Sequence, residues 1–287
     1  MICKSISINE LYPAIEHAGF IDVYCHETKN DPETRRYPAM IIVPGGGYAY
    51  AAKCESEPIM AAFFSAGVQS FVLRYTAAQS EPCVRYPSEH LQLAAAFDYV
   101  RSHADEYKID KNAIGVIGFS AGGHLAGSYS AGLWHDDGYA EALGIDVETL
   151  RPNAAALCYG VLSFTEPTNE WTVKNLLGER RFDNDERARL SYENIVGENT
   201  PPTFLWHTST DDIVPVECSI KAMAALAAHK IPFQAHIFPE CGHGLSRATR
   251  LTQPEEALIP PSYIASWMGE CTDWFLRVVG YQENIKR

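Results

Sequence analysis

The sequence carries eight cysteines but no Cys-x-x-Cys pair. The usual zinc and redox motifs are therefore absent, and scattered single thiols in a chain this long read as buried or inert. No apolar run approaches the roughly 18 residues that a membrane span needs. Met1-Ile2-Cys3-Lys4-Ser5 leads into polar residues without an apolar stretch of signal-peptide length. A soluble, cytoplasmic protein is the expectation. Positive charge is scarce as well: 23 Lys and Arg face 36 Asp and Glu, a formal net charge of -13. Phosphate contacts need clustered Lys and Arg, so the chain is expected to bind no nucleic acid. The same charge disfavours an anionic membrane surface. Repeats and low-complexity tracts are missing too.

What is present is a set of short apolar runs, each ending in Gly, Pro or polar residues. Met40-Ile41-Ile42-Val43 stops at Pro44, and Phe71-Val72-Leu73-Arg74-Tyr75 follows. Ile114-Gly115-Val116-Ile117 runs into Gly118, and Ala154 to Tyr159 stops at Gly160. Thr203 to His207 follows two prolines, and Phe233 to Phe238 stops at Pro239. Their length and β-branched or aromatic content predict strands, and their unbroken apolarity suits a parallel sheet buried on both faces. Helical patterns lie between them, over 58–66, 89–101, 121–133, 217–229 and 262–279. This alternation predicts an α/β fold, a mostly parallel central sheet with helices on both faces. Residues 1–287 read as one domain. The segment 163–200 has no strand-like run and reads as a small cap-like insertion shaping a site.

Gly118-Phe119-Ser120-Ala121-Gly122 matches Gly-x-Ser-x-Gly between a predicted strand and a predicted helix. A serine on so sharp a turn needs neighbours without a Cβ, which Gly118 and Gly122 supply. Its hydroxyl would project above the sheet edge as a nucleophile. Pro44-Gly45-Gly46-Gly47 follows the first apolar run, and its bare N–H groups can receive an oxyanion together with that of Ala121. The loop lacks the Gly-Lys-Ser/Thr ending of a phosphate-binding Walker loop. Among ten histidines, His243 stands between Gly242 and Gly244 just past the last predicted strand, free to reach the serine. His124 should point into packing one turn after the serine; His207 and His236 lie within predicted strands. The acid should follow the strand ending at His207, where both Asp211 and Asp212 qualify. Tyr48, Tyr50, Phe119, Tyr159, Phe164 and Trp171 are the aromatic candidates for substrate contact.

Together these residues resemble the α/β-hydrolase superfamily. More narrowly they are similar to the bacterial esterases called acetyl-xylan-esterase-like or feruloyl-esterase-like. The resemblance spans about residues 37–250. It is carried by Pro44-Gly45-Gly46-Gly47-Tyr48, Glu57-Pro58, Gly118 to Ala126, Asp211-Asp212-Ile213-Val214-Pro215 and Gly242-His243-Gly244. It implies Asp211 as the acid, because Val214 and Pro215 complete an Asp-x-x-Val-Pro pattern. It implies Gly46 and Gly47 as oxyanion donors beside Ala121. Pro44 stands where the hormone-sensitive lipases have His, which sets the chain apart from them. The implied activity is a serine carboxylesterase acting on small acyl, foremost acetyl, esters of small molecules such as acylated sugars. The implied catalytic set is Ser120, Asp211 and His243, with no metal and no cofactor. A peptidase or amidase with the same triad, or a binding protein that kept the fold, are the rival classes. Assembly into a homo-oligomer is left open.

Overall fold

The computed structural model describes residues 1–17, 19–80, 83–253 and 259–282. The strands are β1 (Ile2–Ser7), β2 (Phe20–Cys25), β3 (Tyr37–Val43), β4 (Gln69–Arg74), β5 (Ile109–Phe119), β6 (Ala154–Cys158), β7 (Thr203–Thr208) and β8 (Phe233–Phe238). They form one sheet in the order β1-β2-β4-β3-β5-β6-β7-β8. The two pairings that involve β2 are antiparallel, and the remainder of the sheet is parallel.

Side chains alternate across the sheet, so each strand divides between two cores. Ile41, Val43, Ile114, Val116, Leu157 and Leu205 belong to one. Met40, Ile42, Ile117, Ala156, Phe204 and Trp206 belong to the other. Burying such a side chain contributes about 1.5–3 kcal/mol. The helices used below are α1 (Glu57–Ser65), α2 (Ser88–Ser102), α3 (Ala121–Ser128), α4 (Glu170–Leu177), α5 (Glu217–Ala228) and α6 (Trp267–Val278). The apolar side chains of α2 and α3 fill the first core, and those of α1 and α6 fill the second.

Three differences from the sequence reading have physical reasons. The helix expected over 121–133 ends as regular α-helix at Ser128 and widens over Tyr129–Leu133, where Gly132 leaves helical angles. Strands β1 and β2 carry no continuous apolar run, because no residue of the edge strand β1 is buried and one face of β2 is only half-buried. The segment 163–200 is largely helical: α4 is followed by short helices over Gly178–Phe182, Asn184–Arg189 and Tyr192–Ile195.

Candidate active site

Strand β5 ends at Phe119, and the chain turns at once into α3. Ser120 stands at that turn with φ 53° and ψ -118°. This is left-handed backbone that a side chain adopts only under strain, a cost of about 1–3 kcal/mol. The turn is held by Ser120 N–H donating to Cys158 O at 3.0 Å and Val161 N–H donating to Ser120 O at 3.1 Å. A Cβ on Gly118 would stand 2.1 Å from Gly122 O, so that glycine is required by the opposite side of the turn. Gly122 is required for a different reason: a Cβ there would meet Val43 O at 2.3 Å and Pro44 O at 2.4 Å, at the end of β3.

The glycine loop after β3 lies beside this turn. Gly46, Gly47 and Tyr48 have φ of 117°, 60° and 57°, three consecutive left-handed residues. Tyr48 is fully buried, and its O–H pairs with His124 Nδ1 at 2.7 Å, while His124 Nε2 pairs with Leu190 O at 2.9 Å. The carbonyl can only accept, so Nε2 carries the proton and Tyr48 donates to Nδ1. His124 therefore joins the glycine loop, α3 and the 163–200 segment, and burial pushes it down to about 3. Asn175 Nδ2, on α4, donates to Gly47 O at 2.8 Å, a second link from the 163–200 segment to the loop.

His243 bridges the remaining parts. Its Nε2 lies 2.7 Å from Ser120 Oγ and its Nδ1 lies 2.7 Å from Asp211 Oδ2. Asp211 Oδ1 accepts the N–H groups of Ile213 at 2.9 Å and Val214 at 2.8 Å. Burial alone would raise the Asp211 carboxyl. The hydrogen bonds from His207 and His243 outweigh it and hold the group well below the usual carboxylate range. Asp212 is exposed and its carboxylate lies toward Gly242.

Ser120, His243, Gly46 and Gly47 line one cleft of about 440 Å³. Ala121, the first residue of α3, is fully buried directly behind Ser120. Of the six aromatic candidates, only Tyr50 and Trp171 face this cleft, 55% and 49% exposed. Tyr48, Phe119, Tyr159 and Phe164 are buried and do not line it. Trp171 comes from α4, so the 163–200 segment supplies part of the cleft wall.

Two residues of this site escaped the sequence reading. His207, expected to be structural, also contacts Asp211. Glu55, which no motif marks, is buried at the cleft floor and accepts from Gly45 N–H at 2.7 Å. Only the position of His207 at a strand end, just before the acid, could have drawn notice. Among the described residues no group of three His, Cys, Asp or Glu is placed to hold a metal, and no helix is long and apolar enough to cross a membrane.

The fold and this arrangement define the class: an α/β-hydrolase. Within it, the model of the family described as BD-FAE matches residues 21–226, and the chain belongs to that family. It is 36% identical over 238 residues to endo-1,4-beta-xylanase B of Butyrivibrio fibrisolvens, covering 80% of this chain and 35% of that protein. It is 26% identical over 223 residues to an acetylxylan esterase of Xylanibacter ruminicola, covering 76% of this chain and 43% of that protein. The chain thus spans less than half the length of these two curated relatives. Among solved structures, an acetyl ester-xyloside bifunctional hydrolase from Caldicellulosiruptor lactoaceticus superposes with a TM-score of 0.79 at 34% identity. That match covers 98% of this chain and 97% of the other.

Proposed function

We propose that this chain is a serine carboxylesterase that removes small acyl groups, acetyl foremost, from a carbohydrate. The observation that carries the reading is His243, within 2.7 Å of both Ser120 Oγ and Asp211 Oδ2. In the first step Ser120 Oγ attacks the ester carbonyl and passes its proton to His243 Nε2. Asp211 keeps the proton on Nδ1 and stabilises the imidazolium. The N–H groups of Gly46, Gly47 and Ala121 receive the oxyanion, each worth about 2.7–4 kcal/mol of barrier. Among the described residues no protein acceptor takes the N–H of Gly46 or Gly47. His243 then protonates the leaving alcohol. Water, deprotonated by the same imidazole, cleaves the acyl-enzyme and restores Ser120.

Support for the acetyl and sugar assignment comes from the acetylxylan esterase and the acetyl ester-xyloside hydrolase that the chain resembles. It also comes from the half-exposed rings of Tyr50 and Trp171 beside Ser120, a surface on which a sugar face can stack. Residues 1–287 act as one domain in which 163–200 is the cap. The enzyme works in the cytoplasm, where its eight free thiols stay reduced.

The test is labelling by a fluorophosphonate probe followed by rates on p-nitrophenyl esters and an aminoacyl p-nitroanilide. Ser120 should be labelled, and acetyl should exceed longer acyl chains. An unlabelled Ser120 overturns the serine-hydrolase reading. Faster anilide cleavage makes the protein an amidase, and a preference for long chains removes the carbohydrate assignment.

A further inference from the structure

Glu55 is 3% exposed and takes no part in the acyl-transfer steps above. Its Oε2 accepts the N–H of Gly45 at 2.7 Å, and its Oε1 accepts the O–H of Tyr159 at 2.7 Å. The Tyr159 oxygen in turn accepts the N–H of Ser246 at 2.8 Å, and Ser246 Oγ donates to Cys54 O at 2.5 Å. Tyr159 also sets its ring edge-on to His243, with centroids 5.1 Å apart and planes at 77°. A Cβ on Gly45 would stand 2.8 Å from Glu55 Oε2 and 2.9 Å from Ser120 Cβ. The carboxylate and the serine thus flank the same glycine. One buried acid ties the first residue of the oxyanion loop to the loop that carries the histidine.

We propose that Glu55 is a positioning residue for acyl transfer, holding the glycine loop and the histidine loop in register and stabilising the imidazolium by its charge. The inference rests on the serine-esterase reading. Both oxygens accept hydrogen bonds, a pattern that favours the ionised carboxylate. Burial raises Glu55, and the bonds from Tyr159 and Gly45, with His243 nearby, offset part of that rise. The titratable groups facing Glu55 are Tyr159 and His243, with Tyr75, Cys54 and Cys158 beyond them. Those facing His243 are Asp211, Glu55 and Tyr159. Asp211 meets the ring at Nδ1 and fixes its tautomer, so Glu55 is the second negative charge in range of the imidazolium.

Glu55→Gln tests this on the full chain. The amide has one acceptor oxygen for two donors, so the loop register loosens, and the charge is gone. With p-nitrophenyl acetate kcat should fall about 10- to 100-fold while KM stays within about twofold. The acid limb of kcat/KM should move to lower pH, because the imidazolium has lost a stabilising charge. Tyr159→Phe keeps the charge and should leave that limb in place. A wild-type kcat in Glu55→Gln overturns the proposal. So does a fall in kcat with an unmoved acid limb, which would mark Glu55 as packing alone. Should Glu55→Gln fail to fold, Glu55→Asp carries the test. It keeps the charge but draws the carboxylate away from Gly45, so kcat should fall with the limb unmoved, and a wild-type kcat overturns the proposal. The fluorophosphonate labelling rate of wild type separates the two readings. An unlabelled wild type removes the esterase reading and this one with it. A labelled wild type with an equally fast Glu55→Gln removes this one alone.

Discussion

His207 Nε2 lies 3.2 Å from Asp211 Oδ2, the oxygen that also receives His243 Nδ1. The same Nε2 is 3.1 Å from Val214 O, which can only accept, so Nε2 carries the proton and donates to both. Nδ1 then accepts from Ser219 Oγ at 2.8 Å, on α5. A continuous chain of hydrogen bonds runs from Ser219 through His207, Asp211 and His243 to Ser120. The buried imidazole of His207 aims the carboxylate, and the carboxylate aims the second imidazole.

The first prediction concerns that relay. His207→Phe keeps a ring in the β7 core and removes all three polar contacts. With p-nitrophenyl acetate kcat should drop about 10- to 100-fold, the worth of one hydrogen bond to a charged group. KM should barely move, because His207 lies behind Asp211 and does not line the cleft. Steady-state kinetics settle it: a wild-type kcat would mean that Asp211 is held by its main-chain donors alone.

A second prediction separates the paired acids. Asp211→Asn should lower kcat by about 10,000-fold, the loss seen when a Ser-His-Asp triad takes the wrong tautomer. Asp212→Asn should stay within about twofold, since that side chain is exposed. The folded Asp211 is held below its unfolded value. Its stabilisation is therefore present above the unfolded value of about 3.9 and is lost as pH falls toward the folded one. The gap in melting temperature between wild type and Asp211→Asn should narrow below about pH 4. A gap constant with pH would show that Asp211 carries no such linkage.

These residues also show what was legible in the sequence. Strands β3 to β7 could be read because burial on both faces leaves an apolar run, as in Met40 to Val43; β8, part-exposed at the sheet edge, was legible from its aromatic and β-branched residues before Pro239. Strand β2 could not: Ile21, Val23 and Cys25 are buried, but Phe20, Asp22 and Tyr24 between them are half-buried. Ser120 was legible because its strained turn forces glycines at fixed spacing, and His243 because its loop needs flexible neighbours. Asp211 and Asp212 were inseparable by local chemistry, since burial and partners, not residue type, distinguish them. Glu55 was illegible for the same reason at longer range. Its partner Tyr159 lies 104 residues away, and no local pattern encodes that meeting.

The third prediction tests the wall that the 163–200 segment places on the glycine loop. A methyl group on Gly47 would sit 1.9 Å from Trp171 Cζ3, and Gly47 has φ 60°. Gly47→Ala meets both a steric and a conformational penalty, the latter about 1–2 kcal/mol. Its kcat on p-nitrophenyl acetate should fall at least about tenfold. Adding Trp171→Ala removes the clash and leaves the backbone cost, so the double variant should recover part of the loss. A double-mutant cycle measures the coupling. Strict additivity would show that the indole does not bear on the loop.

The last prediction concerns a buried charge away from the chemistry. Glu89 lies in the first turn of α2, is fully buried, and among the described residues neither carboxylate oxygen is hydrogen-bonded to another residue. Burial pushes it up to about 8, with Arg85 and Arg180 pulling weakly the other way. Because the folded value exceeds the unfolded one of about 4.3, the folded state prefers the protonated acid. Its contribution is fully present below about pH 4.3 and is lost as pH rises through about 8. Glu89→Gln keeps the shape and removes the titration. The melting temperature of the variant relative to wild type should therefore climb between pH 4.5 and pH 8.5. In a domain of this size each kcal/mol appears as about 2–4 °C. If the difference between the two proteins stays constant over that range, Glu89 ionises in the folded protein as readily as in the unfolded chain, and its burial carries no penalty.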